Sequence, residues 1–224
     1  VCLGKFINCG QTCIAPDYLF VHKEVKEEFI NLLKENIISF FGTEAYKSEN
    51  YGRIINQRQF LRIKSLLSQG EIIFGGKHDE RNNYISPTLI KPYELNNSLM
   101  QDEIFGPILP ILEFENIESV IEYINKRPRP LALYYFGNKN INIIKRTTSG
   151  GACINDAIMH IIPHSLPFGG IGQSGMGSYH GKKSFDTFSH YKSVLKTHKN
   201  FEFKIKYPPY TSLKQKIIRL FMDR

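Results

Sequence analysis

Tryptophan is absent from the 224 residues, and cysteine occurs only four times, as Cys2, Cys9, Cys13 and Cys153. These four form no Cys-x-x-Cys pair and no dense framework, which argues against a metal site and against structural disulfides. Free thiols suit a reducing compartment, and the expected location is cytoplasmic. No apolar run approaches the length of a membrane span, no secretory leader opens the chain, and no internal repeat or low-complexity stretch is found. Val1 stands where an initiator methionine would, so the chain is expected to be a piece of a longer one. What is present is a globular composition. Hydrophobic residues make up 42%, with 16 Phe and 12 Tyr, enough core for one large domain or two small ones.

Acidic residues are the minority, 21 against 29 Lys and Arg, for a net charge of +8. Such an excess can attract nucleic acid or an anionic membrane surface. The basic residues are dispersed, however. They cluster only at Lys182-Lys183 and over residues 192–224, without a zinc-finger or RNP-type signature. The reading is solubility plus a basic tail and no nucleic-acid partner. Peripheral contact of the tail with a membrane surface stays open.

The most informative stretch is Gly10-Gln11-Thr12-Cys13. Gly10 gives unrestrained backbone and Pro16 stops any helix, so Cys13 is expected in a tight connection between a short helical run and a strand over 18–22. A cysteine in such a turn can present its sulfur to a cleft, where a helix end, backbone N–H groups or a base favour the nucleophilic thiolate. By residue type alone a lone cysteine is a small buried hydrophobe. The neighbours Gly, Gln, Thr, Ala and Pro are loop residues, and they tip the reading toward chemistry.

Further on, residues 24–41 read as a helix, with Val25, Phe29, Leu32, Leu33, Asn36, Ile37 and Phe40 inward and Gly42 at its end. Asn56 caps a second helix to about residue 68, burying Phe60, Ile63 or the stem of Lys64, and Leu67. Strands follow over 71–74 and 84–90, separated by the Gly75-Gly76 turn and a loop over 77–83. Residues 108–114 are extended, 117–125 helical, 131–136 a buried strand, 138–146 a helix and 152–154 a short strand. Strands alternating with helices imply parallel crossovers and an α/β fold, a layered, mostly parallel sheet with flanking helices. Residues 213–222 suit a short amphipathic helix.

Two more segments carry candidates. In Gln101-Asp102-Glu103-Ile104-Phe105-Gly106-Pro107, a carboxylate can accept hydrogen bonds from the paired hydroxyls of a ribose, and the Phe105 ring can pack on a flat cofactor ring. The plainer alternative is a solvated acidic turn beside a core phenylalanine. In residues 164–183, Gly170-x-Gly172-x-x-Gly175 satisfies a dinucleotide-binding pattern. It lacks the preceding strand, and Leu195 stands where the acid should be, so the glycines are read as a loop passing close to the active site. His160 and His164 are four apart, but Pro163 between them argues against a helical metal site. His180 and His190 read as structural, held by ring hydrogen bonds.

Three segments together resemble the aldehyde dehydrogenases, particularly their class 3 branch: Asn8-Cys9-Gly10-Gln11-Thr12-Cys13, Glu103-Ile104-Phe105-Gly106-Pro107, and Pro167-Phe168-Gly169-Gly170 with Ser174-Gly175-Met176-Gly177-Ser178-Tyr179-His180-Gly181-Lys182-Lys183. The resemblance runs from about residue 4 to about 209. It implies that Cys13 attacks the aldehyde carbonyl, that Glu103 binds the nicotinamide-side ribose of NAD or NADP, that Phe105 packs near the nicotinamide, and that Phe168 lies near the substrate. Asn155 matches a family position without an assigned chemistry. The implied organisation is a catalytic domain over 1–183, part of a β oligomerisation arm over 184–200 and a basic tail over 201–224. The nucleotide-binding half, with its general-base glutamate and oxyanion-hole asparagine, would lie upstream. On that expectation these 224 residues alone do not form a competent dehydrogenase, and the full-length protein is a homodimer acting on aldehydes. A cysteine acyl hydrolase, which needs a base within reach of Cys13, and a non-catalytic interaction module remain as alternatives.

Overall fold

The computed structural model describes residues 1–137, 142–200 and 202–222, and the chain divides into two compact units, Val1–Phe188 and Ser189–Arg224. The strands are β1 (Leu19–His22), β2 (Gly70–Phe74), β3 (His78–Asp79), β4 (Tyr84–Ile85), β5 (Thr88–Pro92), β6 (Ile108–Phe114), β7 (Ala132–Tyr135) and β8 (Gly151–Ile154). The helices are α1 (Cys2–Phe6), α2 (Lys26–Phe41), α3 (Gln57–Leu66), α4 (Ile117–Asn125), α5 (Asn142–Arg146) and α6 (Gly181–Thr187), with α7 (Ser212–Met222) in the second unit. Of the helix expected over 138–146, the first four residues lie outside the described ones.

The main sheet has the order β1-β6-β5-β2, with β1 and β5 parallel to β6 and β2 antiparallel to β5. β7 and β8 form a parallel pair across α5, the expected crossover unit; β3, inside the stretch expected to be a loop, pairs antiparallel with β4, the start of the strand expected over 84–90. β6 is central yet contains Pro110, which has no N–H to donate. Its register removes the conflict: β5 pairs with residues 108–110 and β1 with 111–114, so the proline falls where the strand changes partner.

The core forms where this sheet meets α2 and α3. Leu89, Ile90, Ile108 and Leu109 of the sheet are wholly buried, as are Phe60 and Ile63 of α3. In α2 the buried stripe is Ile30, Leu33, Ile37 and Phe41, while Val25, Leu32 and Phe40 are exposed. The helix is thus rotated from the expected facing, because Ile30 and Phe41 define the period that meets the sheet. Gly42 ends it at φ 75°, in the left-handed region that glycine enters without penalty. β7, expected to be buried, is half-buried along its length, since its residues line a cleft.

Residues 184–187 complete α6, and among the described residues 188–200 contain no strand. An arm strand needs a ladder partner for its backbone, and this single chain offers none there. In the second unit Lys214 of α7 reaches back to the segment before the helix, its Nζ donating to the Tyr207 carbonyl at 2.9 Å. No helix among the described residues is long and apolar enough to cross a membrane.

The start of α3 is set by one side chain: Asn56 Oδ1 accepts from the Gln59 N–H at 2.9 Å. Asn56→Ala removes that cap and is expected to lower stability by about 1 kcal/mol, read as a shift of the denaturant midpoint at unchanged slope. An unchanged midpoint would show that α3 is held by burial of Phe60 and Ile63 alone.

Candidate active site

Cys13 owes its position to a strained approach. Asn8, Cys9 and Gly10 are successive left-handed residues, with φ of 51°, 55° and 71°. The turn itself closes where the Ala15 N–H donates to the Thr12 carbonyl at 2.9 Å, leaving Cys13 exposed at its crest. Gln11 ties this turn to the next segment. Its side-chain amide donates to the Arg53 carbonyl at 3.0 Å, and its oxygen accepts from the Ile55 N–H at 3.0 Å. The Tyr134 hydroxyl of β7 holds the far side, donating to the Ile14 carbonyl at 2.7 Å. Cys2 and Cys9, by contrast, are buried, and loss of water pushes both thiols up to about 11.

The Glu103–Phe105 loop meets the cysteine turn backbone to backbone. A methyl group on Gly10 would lie 2.3 Å from the Gly106 carbonyl oxygen. Phe105 itself has φ 45°, unusual for an aromatic residue, and its ring is partly exposed instead of joining the core. Three hydrogen bonds fix the loop. Arg62 of α3 donates to the Glu103 carbonyl at 3.2 Å and to the Ile104 carbonyl at 2.6 Å, and the Ile104 N–H donates to Asp17 Oδ1 at 3.0 Å.

Cys13, Glu103 and Phe105 line one cleft of about 810 Å³, together with Asp17, Tyr134 and Tyr135. Beside it a cavity of about 480 Å³ is shared by Glu103, Phe105, Asn56, Gln59 and Arg62. Phe168 does not line the cleft. Its ring is buried against His160 at 5.8 Å and Tyr179 at 5.7 Å, and its backbone bridges to Tyr179. The same glycine-rich loop instead sends Gln173 and Ser174 to the cleft wall. Nor is His180 held by a ring hydrogen bond at Nδ1. Among the described residues that atom has no partner, and the ring packs on Tyr179 at 4.4 Å. Asn155 has a structural task, its side-chain oxygen accepting from the Gly137 N–H at 2.8 Å.

The charges at the cleft floor escaped the sequence reading. Burial raises the Asp17 carboxyl, with Lys5, the Ile104 N–H and Arg62 pulling it back. Glu103 is also raised, by desolvation first and by the Asp17 charge second. Lys5 of α1 is wholly buried, which lowers its ammonium to about 8, and among the described residues its Nζ has no hydrogen-bond partner. The sequence carries no signal for it: a lysine reads as surface, and its enclosure shows only once α1 is packed, with every helix residue except Leu3 buried. No histidine or carboxylate among the described residues is hydrogen-bonded to the Cys13 thiol. His160 contacts Cys153 Sγ through Nδ1 at 3.3 Å, and burial raises the thiol and lowers the imidazole.

The sequence profile of the Aldehyde dehydrogenase family matches residues 1–194. The chain is 48% identical over 225 residues to "Aldehyde dehydrogenase family 3 member A2" of Rattus norvegicus, covering 98% of this chain and 46% of that protein. It is 47% identical over 212 residues to "Aldehyde dehydrogenase, dimeric NADP-preferring" of the same organism, covering 92% and 47%. A solved structure described as "Substrate bound state of Staphylococcus Aureus AldH" superposes with a TM-score of 0.86 at 44% identity, over 99% of this chain and 49% of that one. The chain thus spans about half the length of the relatives it matches.

Two glycines in the left-handed region separate strain from collision. Gly42 has φ 75° with nothing within 4 Å of an added methyl group, whereas Gly10 has φ 71° and the Gly106 carbonyl in the way. Gly42→Ala is expected to lose about 1 kcal/mol from conformation alone, and Gly10→Ala clearly more, by chemical denaturation. Equal losses would mean the two loops are not in enforced contact.

Proposed function

The chain belongs to the aldehyde dehydrogenase family, and on that premise we propose that its cleft serves the oxidation of aldehydes to carboxylic acids with NAD or NADP. The observation that carries the proposal is the convergence on one cleft of an exposed thiol, Cys13, with Glu103 and Phe105. In this reading the Cys13 thiolate adds to the aldehyde carbon and gives a thiohemiacetal. The Cys13 backbone N–H, which donates to no group among the described residues, is available to the resulting oxyanion. Glu103 opens on a cavity large enough for a ribose and can accept from two vicinal hydroxyls, while the Phe105 ring offers a flat apolar face. These residues fit a nicotinamide cofactor, which when bound supplies the acceptor for hydride. Oxidation leaves an acyl group on the Cys13 sulfur, which water releases as the carboxylate. Phe168 acts from behind, supporting the loop that carries Gln173 and Ser174, and not as a substrate wall.

The acyl-hydrolase alternative is weakened by the pairing of His160 with Cys153 instead of Cys13. The dimeric relative supports a homodimer, and the free cysteines favour a cytoplasmic location. A peripheral membrane contact is proposed with it. In α7 the exposed Leu213, Leu220, Phe221 and Met222 share a helix with Lys214, Lys216 and Arg219, a composition suited to an anionic lipid surface.

Thiol labelling of the purified chain tests the nucleophile: one thiol should react fast, and Cys13→Ser should remove that phase. A fast phase that survives the substitution assigns the reactive sulfur elsewhere. In an enzyme of the relatives' length carrying this sequence, Cys13→Ser should abolish aldehyde oxidation, because a hydroxyl is far less ionised than a thiol. Glu103→Gln should slow single-turnover hydride transfer about 10–100-fold while weakening aldehyde binding less. Unchanged transfer would remove Glu103 from the cofactor site.

Co-sedimentation tests the tail. The chain should pellet with phosphatidylserine vesicles at low salt and be released as salt rises, and changing Lys214, Lys216 and Arg219 to Gln should abolish binding. Equal binding to neutral vesicles, or none to either, would end the membrane reading.

A further inference from the structure

Two carboxylates meet at the seam between the cysteine turn and the Glu103 loop, and like charges so placed oppose each other's ionisation. Arg62 faces both, but its guanidinium is committed to the backbone carbonyls of Glu103 and Ile104 and to the Gln59 side chain. Lys5 is the other cation that acts on both. Its side chain is wholly enclosed, and its Nζ makes no hydrogen bond among the described residues. An enclosed ammonium without hydrogen bonds is unfavourable, and an apolar side chain of the same length would fill the space without that penalty. Packing therefore does not account for a lysine here, whereas charge does.

We propose that Lys5 is a positioning residue for Glu103: a buried counter-charge that keeps the Glu103 carboxylate, and Asp17 with it, ionised at the cleft floor. Ionised Asp17 receives the Ile104 N–H and so fixes the loop. Ionised Glu103 is in the form that accepts ligand hydroxyls. That last step rests on the cofactor reading above. The titrations below use no cofactor, so their failure and the failure of that reading are distinguishable.

The test is carboxyl and lysine titration by carbon-13 NMR on the purified 224-residue chain. Three groups face Glu103: Asp17, Arg62 and Lys5. Lys5 is faced by Asp17 and Glu103. In Lys5→Met, the proton affinities of Glu103 and Asp17 should rise several-fold or more, a change that a purely space-filling lysine would not produce. Unchanged carboxyl midpoints in folded Lys5→Met overturn the proposal. Coupling between two sites is reciprocal, so Glu103→Gln should make Lys5 release its proton at lower pH. This second variant alters a side chain that opens on the cleft, and it decides the matter if Lys5→Met does not fold. A Lys5 midpoint unmoved by Glu103→Gln overturns the proposal equally.

Discussion

The cleft depends on two backbones being able to touch. Gly10 presses on the carbonyl of Gly106, and Gly106 presses in turn on Ile63 of α3, where a methyl group would lie 2.7 Å from the isoleucine side chain. A side chain at Gly10 would wedge the two loops apart and separate the thiol from the carboxylate loop. A backbone contact has no rotamer through which to relax. The distance between Cys13 and Glu103 is therefore set by the main chain and by the core residue behind it. The left-handed conformations of Asn8, Cys9 and Phe105 belong to the same constraint, since they are what allows the two loops to arrive face to face.

Polar side chains then fix what the glycines permit. Gln11 fastens the cysteine turn to residues 53–55, Tyr134 fastens it to β7, and Arg62 holds the carbonyls just ahead of Phe105. Each of these bonds ends on backbone, so the loops are held by their main chains while the Cys13 and Glu103 side chains stay available. A cleft whose supporting groups are used up while the side chains on its lining are left unengaged is preorganised for a ligand. Asp17 adds one tie that ends on a side chain, its Oδ1 accepting from the Ile104 N–H.

How much of this was legible in the sequence follows from what each residue's letter encodes. Periodicity located α4 at residues 117–125, as observed, because Val120, Ile121 and Ile124 pack inward at helical spacing. It failed on α2, where apolar residues on neighbouring stripes compete and only the sheet decides between them. It also missed β3, since two residues are too short to show alternation. Cys13, Glu103 and Phe105 were legible through local motifs and family resemblance, and the fold does bring them to one cleft. The resemblance puts Phe168 near the substrate, but a motif does not say which side chains of its loop turn outward, and this ring is buried away from the cleft lining. Lys5 was invisible for a different reason: a lysine letter means surface by default, and only tertiary packing shows that it is enclosed.

The glycine-rich segment shows why spacing alone is ambiguous. Gly170-x-Gly172-x-x-Gly175 has the letters of a phosphate-binding turn, yet no strand leads into it, and it holds only a short 3-10 turn, Gly172–Ser174, without opening a helix. Its glycines answer another need. A methyl group on Gly170 would lie 2.1 Å from the Ser174 carbonyl oxygen, and one on the neighbouring Gly169 2.2 Å from that of Gly177. The loop is folded tightly on itself, and the Ser174 hydroxyl accepts from the Ile171 N–H at 3.0 Å to close it. Glycine is required here because the chain packs against its own backbone, whereas in a phosphate-binding turn it is required because a ligand does. The tight fold is also what turns Gln173 and Ser174 toward the cleft. The loop thus reaches the site through the side chains between its glycines, while the glycines themselves make the shape that delivers them.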